Sequence, residues 1–125
     1  MDNFKKLNNK SKQQHRISRH KRVRAKIVGT KERPRVSVFK SNNYVFVQFI
    51  DDNLNKTILS NKIISHKKTK IKGNKTDIAK KIGEMLAEKA KEIGIREAIF
   101  DRGGFKYHGR IKAIAEGLRK GGLKF

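Results

Sequence analysis

The chain has 125 residues and carries 33 Lys and Arg against 11 Asp and Glu, a formal net charge of +22. Self-repulsion of this size destabilises a free compact state and indicates a polyanionic partner, with nucleic acid favoured over an anionic membrane surface. The chain contains no cysteine, which excludes disulfides and thiolate metal sites. No apolar run approaches the roughly 20 residues of a membrane span, and no apolar segment typical of a secretory signal follows the basic start.

Residues 1–32 are predicted to form a basic arm. Asp2 and Glu32 are its only acids, and Ile17 is the only large apolar residue between positions 8 and 22. Such a segment buries too little apolar surface to offset its ordering entropy, so we expect a disordered or fraying helical arm that orders on a partner. A flexible solubilising tail is the alternative. An organellar transit peptide has a similar composition, but the direct join to the domain favours a working arm.

Residues 33–125 are predicted to form one globular α/β domain, which opens with three strands over 35–40, 44–50 and 56–64. Asn-rich and Asp-rich turns at 41–43 and 51–55 separate them, which indicates an antiparallel meander. The second strand is apolar on both faces except for Gln48, and this predicts a central strand covered on both sides. A basic loop over 65–75 follows.

The remainder is predicted as helix, strand and helix. The first helix runs from a cap at Thr76 or Asp77 to Ile93, and Gly94 ends it. Within it, Gly83 is interpreted as allowing close contact between helix and sheet. The inward stripe of this helix consists of Ile78, Ile82, Met85, Leu86 and Ile93. A fourth strand spans 95–100.

The last helix runs from about residue 109 to 120, after which Leu123 and Phe125 are expected to fold back onto the core. Its inward residues are Ile111, Ile114, Ala115 and Leu118. A helix between the third and fourth strands implies a right-handed crossover. The predicted fold is therefore a four-stranded mixed sheet in the order 3-2-1-4, in which a meander and one crossover strand are packed by two helices and preceded by the arm.

The segment 100–110, FDRGGFKYHGR, contains the strongest functional signal. Glycines allow close backbone approach to a ligand, arginines grip phosphate with a planar fork, and aromatic rings stack on unpaired bases. The end of the segment opens the last helix, whose N-terminus suits phosphate. A plain strand-to-helix connection with Phe105 in the core is the alternative, but it does not require this set of cations. We interpret the segment as a contact for structured RNA.

Enzymatic and metal-binding alternatives have weaker support. The four histidines, His15, His20, His66 and His108, are scattered and lack ligand spacing. A sheet of this order resembles the core of ribonuclease H-like nucleases, whose clustered carboxylates hold two divalent ions. The candidates for that role are Asp51, Asp52 and Asp101. The first two lie in a turn, and Asp101 is more simply paired with Arg102 or used to brace the loop. We expect no metal, no cofactor and no small-molecule substrate.

Several motifs carry a resemblance to the bacterial family of large-subunit ribosomal protein L-eighteen, from the arm to Phe125. They are RPR at 33–35, the aromatic strand with Gln48, GNK at 73–75, the 100–110 segment and the terminal GLKF. The resemblance implies a structural, non-enzymatic protein that binds 5S rRNA and helps attach it to the large-subunit rRNA in the central protuberance. The implied partners are both rRNAs, ribosomal protein L-five and other central-protuberance proteins. The implied location is the cytoplasmic ribosome rather than an organellar one.

The residues predicted to contact RNA come from the arm, the RPR and GNK motifs and the 102–110 loop. They are Lys10, Lys12, Arg16, Arg19, His20, Lys21, Arg22, Arg24, Arg33, Arg35, Lys72, Gly73, Asn74, Lys75, Arg102, Gly103, Gly104, Lys106, Tyr107, His108, Gly109 and Arg110.

Overall fold

The structure is a computed structural model that describes residues 11–24, 27–41, 45–61 and 73–125. Within these ranges the elements are α1 (Lys12–Arg24), β1 (Arg35–Lys40), β2 (Val45–Asp51), β3 (Lys56–Ser60), α2 (Lys75–Glu92), β4 (Ile99–Asp101) and α3 (Arg110–Lys120). The sheet order is β3-β2-β1-β4. β2 is antiparallel to both β1 and β3, whereas β4 is parallel to β1. The predicted α/β class and the strand order 3-2-1-4 are confirmed.

One apolar core joins one face of the sheet to α2 and α3. Alternate positions of β1 and β2 supply Val36, Val38, Val47 and Phe49, all of which are almost completely buried. α2 contributes Ile82 and Leu86, and α3 contributes Ile111, Ile114 and Leu118. The predicted return of the C-terminus is also confirmed: Leu123 is buried, and the Phe125 ring stacks on Phe100 at 5.3 Å between ring centroids.

Two glycines set the contact between α2 and α3. A Cβ atom at Gly83 would lie 2.6 Å from the Ile114 carbonyl oxygen, and one at Gly117 would overlap the Lys80 carbonyl oxygen. The prediction that Gly83 contacts the sheet is therefore wrong, because the backbone that it faces belongs to α3.

The ends of α2 differ from the prediction in two details. The cap is Asn74 rather than Thr76 or Asp77, and its side-chain oxygen accepts a hydrogen bond of 2.9 Å from the Asp77 backbone N–H. Asn suits this position because its short side chain reaches an otherwise unpaired donor of the first turn. Gly94 ends the helix with a φ of 86° as predicted, but Ile93 is 55% exposed because it lies past the last helical turn.

β1 has its predicted bounds and β2 is displaced by one residue, whereas β3 and β4 are shorter than expected. β4 begins at Ile99 rather than at 95, because the chain before it pairs with the C-terminal segment through a bridge between Glu97 and Lys124. In β2, half-buried residues alternate with buried ones, so one face is fully covered and the other is covered only in part, which is less than expected. β3 ends at Ser60. Residues 62–72, where the rest of the predicted strand and most of the basic loop fall, lie outside the described residues.

On the other face of the sheet, a buried arginine holds two carboxylates. Arg35 is 7% exposed. Its Nε and Nη2 atoms each donate to Asp52 at 3.1 Å, and its Nη1 atom donates to Asp101 Oδ2 at 2.7 Å. Asp52 also accepts from the Gly29 backbone N–H, and Asp101 Oδ1 accepts from the Gly103 backbone N–H at 2.9 Å. The network ties the chain before β1, the turn after β2 and the loop after β4 to one guanidinium.

Pairing favours the charged forms of both Asp52 and Arg35. Burial of Asp52 disfavours its charge, but the hydrogen bonds from Arg35 and the Gly29 N–H, together with the charges of Arg35 and Arg24, outweigh burial and hold its pKa below its ordinary value. Burial likewise opposes the charge of Arg35, but the hydrogen bonds and charges of Asp52 and Asp101 raise its pKa. Loss of either partner would leave a buried charge without compensation.

We expect Gly117→Ala to destabilise the protein although alanine is the better helix former. The added methyl group must displace backbone of α2, so the free energy of unfolding should fall by about 1–3 kcal/mol. The measurement is urea denaturation. Glu116→Ala, an exposed neighbour on the same helix, is the control and should stay within about 0.5 kcal/mol of wild type. Stabilisation by Gly117→Ala, as helix propensity alone predicts, would contradict the packing described here.

We expect Asp52→Asn to change how stability depends on pH. A carboxyl whose folded pKa is depressed contributes stability above its unfolded value, 3.8 for Asp52, and loses it as pH falls through the folded pKa. The variant should therefore be less stable than wild type at pH 7 and should lose less stability between about pH 4 and pH 2. Glu88→Gln, at an exposed helical site, should keep the acid dependence of wild type. Parallel wild-type and Asp52→Asn curves would refute the assignment.

Candidate nucleic-acid interface

Helix α1 begins at a reciprocal cap. The Ser11 hydroxyl accepts from the Gln14 backbone N–H at 3.2 Å, and the Gln14 side chain accepts from the Ser11 backbone N–H at 2.9 Å. This pairing satisfies two donors that the first turn otherwise leaves unpaired. The sequence carries the signal as Ser-x-x-Gln, which the sequence prediction did not use. The cap explains why a segment with so few apolar residues has a defined helical start.

Side chains of α1 contact the loop that follows β4. Arg19 Nε donates to the Gly104 carbonyl oxygen at 3.0 Å, and His20 Nε2 lies 3.1 Å from Asp101 Oδ2. The Arg16 guanidinium carbon lies 4.6 Å from the centroid of the Phe105 ring. These contacts place α1 on the loop, and we call Asp101, Gly104 and Phe105 the α1 docking site.

The helix spans the length of the sheet. Arg16 lies 5.5 Å from the ring of Phe39 near the end of β1, whereas Arg24 donates to Asp52 beside the start of β1. α1 therefore runs antiparallel to β1, on the side of the sheet that α2 and α3 leave open.

An aromatic cluster lies beside the N-terminal half of α1. Phe39 and Phe105 meet edge to face at 5.9 Å, and Lys40 Nζ lies 5.5 Å from the Phe105 centroid. Phe39 is 47% exposed, and Phe105 is half-buried against the core, so the core alternative for Phe105 holds in part. An exposed ring with cations around it is suited to stacking on a nucleobase. The sequence prediction missed Phe39, because its strand position alone does not show which face the helices cover.

The glycines of the 102–109 loop turn its cations outward. Gly103 and Gly104 are buried with φ values of 66° and 78°, a region that other residues adopt only with strain. A Cβ atom at Gly103 would lie 2.7 Å from the Val38 carbonyl oxygen. Arg102 and Lys106 consequently project from the surface, as do Tyr107 and His108, which are also exposed. Exposed cations of the loop thus lie beside those of α1.

The predicted contact residues fall into four groups. The exposed residues are Lys12, Arg19, Lys21, Arg22, Arg33, Gly73, Asn74, Lys75, Arg102, Lys106, Tyr107 and His108. The half-buried residues are Arg16, His20, Arg24, Gly109 and Arg110. The buried residues are Arg35, Gly103 and Gly104. Lys10 and Lys72 lie outside the described residues.

Topology separates these residues into two regions. The 102–109 loop follows β4 and lies at the end of the sheet where β1 also finishes, because β4 is parallel to β1. α2 ends near the start of β1, since Ile93 lines a cavity with Glu32 and Lys56. Gly73 to Lys75, at the other end of that helix, therefore lie toward the same end of the sheet as the loop, whereas Arg33 precedes β1 and lies at the opposite end.

Three predicted contacts have internal roles in the structure. Arg35 is occupied by two carboxylates, which makes it a structural residue rather than a free phosphate contact. The buried backbones of Gly103 and Gly104 face β1 and α1 respectively rather than solvent. The interpretation that Asp101 braces the loop is confirmed by its bond to Gly103 N–H, but its ionic partners are Arg35 and His20 instead of Arg102.

Carboxylates on this face do not have the geometry of a metal centre. Asp52 and Asp101 both pair with Arg35, whose guanidinium occupies the oxygens that divalent ions would need. Across the described ranges, no group of three or more Asp, Glu or His side chains is placed to share an ion. No helix in the described part of the chain has the length and apolarity to cross a membrane.

Comparisons with known proteins agree with these features. The family model of ribosomal L18 of archaea, bacteria, mitochondria and chloroplasts matches residues 10–125. A large ribosomal subunit protein uL18 from Bifidobacterium animalis subsp. lactis is 50% identical over 105 residues, which cover 84% of this chain and 85% of that protein. The uL18 proteins of Clostridioides difficile and Thermotoga petrophila are 48% and 43% identical over 122 residues, or 95% of this chain and 99% of each relative.

The family match includes α1, the sheet and the 102–109 loop, and so covers every part of the surface described above. The relatives are ribosomal proteins, a structural class that functions in translation and has no catalytic centre. The chain therefore belongs to the uL18 family and is a structural, non-enzymatic constituent of the large ribosomal subunit.

Proposed function

We propose that this chain binds 5S rRNA and helps attach it to the large-subunit rRNA in the central protuberance, beside ribosomal protein L-five. The proposed site of action is the cytoplasmic ribosome. The observation that supports RNA binding most strongly is the docking of α1 on the 102–106 segment, which joins two basic segments into one surface. The choice of 5S rRNA rests on the resemblance of the sequence motifs to the family.

Exposed cations would hold the RNA backbone, and the aromatic cluster would hold an unpaired base. Lys12, Lys21 and Arg22 on α1 and Arg102 and Lys106 on the loop would contact phosphates. The first turn of α3 adds backbone donors, because its N-cap Gly109 offers no side-chain oxygen to occupy them. Phosphate contacts fix register, whereas stacking on Phe39 selects single-stranded or bulged RNA.

The proposal is tested by titrating labelled 5S rRNA with the protein at near-physiological salt against an excess of transfer RNA. Binding that survives the competitor supports specific recognition. Equal affinity for both RNAs would contradict it. If roughly 8–10 phosphates are contacted, the logarithm of the binding constant should fall with the logarithm of salt at a slope of about −6 to −9. A slope near zero would exclude an electrostatic interface.

We expect Arg102→Ala to weaken specific 5S rRNA binding by about 1–3 kcal/mol, the usual cost of losing a fixed arginine contact. Arg96→Ala is the matched control, because it removes the same charge from an exposed arginine before β4, at the opposite end of that strand from Arg102. The control should lose less affinity, and equally for both RNAs. If the two variants were equally weakened, net charge rather than the loop surface would be responsible for binding. Filter binding or fluorescence anisotropy gives both affinities.

A further inference from the structure

We infer that Asp101 and Gly104 are positioning residues, which fix α1 so that its cations and those of the 102–109 loop bind one RNA segment together. The inference rests on the proposed RNA-binding function and assigns a role to two residues that need not touch RNA. Asp101 is buried and acidic, and Gly104 is buried against the backbone of α1, so neither is placed to contact a phosphate.

Gly104 determines how closely α1 approaches the loop. A Cβ atom there would overlap the Arg16 carbonyl oxygen and lie 3.1 Å from the His20 backbone nitrogen. Both obstructing atoms belong to the backbone of α1, so no side-chain rotation relieves the overlap. Any larger residue at 104 therefore moves the helix away and breaks the bond between Arg19 and the Gly104 carbonyl oxygen.

Asp101 joins the position of the helix to the shape of the loop. Its Oδ2 atom faces both His20 Nε2 and Arg35 Nη1, while its Oδ1 atom holds the backbone N–H of Gly103. A carboxylate supplies two accepting oxygens, whereas an asparagine amide supplies one. Asparagine at 101 therefore cannot pair with His20 of the helix, Arg35 of the sheet and the Gly103 N–H of the loop at once.

Net charge and the positioning role predict opposite changes in RNA affinity for Asp101→Asn. Removal of an acid from a protein of net charge +22 should strengthen its attraction to RNA. If Asp101 positions α1, Asp101→Asn should instead weaken specific binding, although the variant is more positive than wild type.

The principal test compares Gly104→Ala with Gly94→Ala. Both sites have a similar positive φ, 78° and 86°, so both variants carry the same type of backbone strain. At Gly94, however, nothing lies within 4 Å of the added methyl group. We expect Gly104→Ala to reduce 5S rRNA affinity roughly tenfold or more, because the phosphate contacts of α1 lose their fixed register. The dependence of the binding constant on salt should also become less steep, because fewer phosphates are contacted. Gly94→Ala should stay within about twofold of wild type. Equal affinities of the two variants would overturn the inference.

A second measurement reports the position of α1 directly. Because the chain has no cysteine, a nitroxide label on Gln13→Cys marks the helix alone. Amide signals of residues 102–106 should broaden in the labelled protein at saturating RNA, and Gly104→Ala should remove the broadening while Gly94→Ala keeps it. Equal broadening in both variants, or none in the labelled parent, would contradict the inference.

The third measurement is whether Asp101→Asn weakens or strengthens binding to 5S rRNA. Urea unfolding curves show that the variant remains folded at the assay temperature. Weaker specific binding supports positioning, and stronger binding overturns it. The two proposals fail separately. If the wild-type protein does not prefer 5S rRNA to transfer RNA, the proposed function is refuted. If it does prefer 5S rRNA but Gly104→Ala has no effect on binding, only the positioning role is refuted.

Discussion

The buried guanidinium of Arg35 is the interaction on which the arrangement of arm, sheet and loop depends. It is held between Asp52 and Asp101, and each carboxylate reaches a further segment of the chain. Asp52 binds the backbone of Gly29 and the side chain of Arg24, and Asp101 binds the loop and His20. Since an unpaired charge at this depth would be strongly unfavourable, these segments are fixed relative to one another.

The distribution of charge follows from this constraint. The acids of the network lie inside, where they offset buried or half-buried cations, whereas the exposed cations of α1 and the loop, such as Lys21 and Lys106, lie outside. Self-repulsion among the outer cations opposes docking of α1 in the absence of a polyanion. The cap at Ser11, the aromatic contacts of Arg16 and the bond to Asp101 act against that repulsion. RNA would neutralise the outer charge, so binding of RNA and docking of α1 should reinforce each other.

Sequence patterns predicted the sheet well because its signals are local. Alternation in β1, the apolar run of β2 and the glycine after α2 indicated the elements, and the crossover rule indicated their order. Contacts between distant segments were not predictable in the same way. Arg35 was expected at the RNA surface, because an RPR motif does not show that two aspartates 17 and 66 residues away enclose it. Gly104 was expected to bring its backbone close to an RNA ligand, whereas the structure places it against the backbone of α1.

If α1 and the 102–109 loop act as one RNA-binding surface, substitutions at Arg22 and Gly104 should be energetically coupled in RNA binding. Arg22 is exposed on α1 and does not contact the docking site in the described structure. The free-energy cost of Arg22→Ala for 5S rRNA binding would be measured in the wild-type chain and again in the Gly104→Ala chain. We expect the cost to fall by about half or more when α1 is displaced, since coupled sites are non-additive. An identical cost in both chains would mean that the arm binds RNA independently of the loop, and that the two do not form one surface.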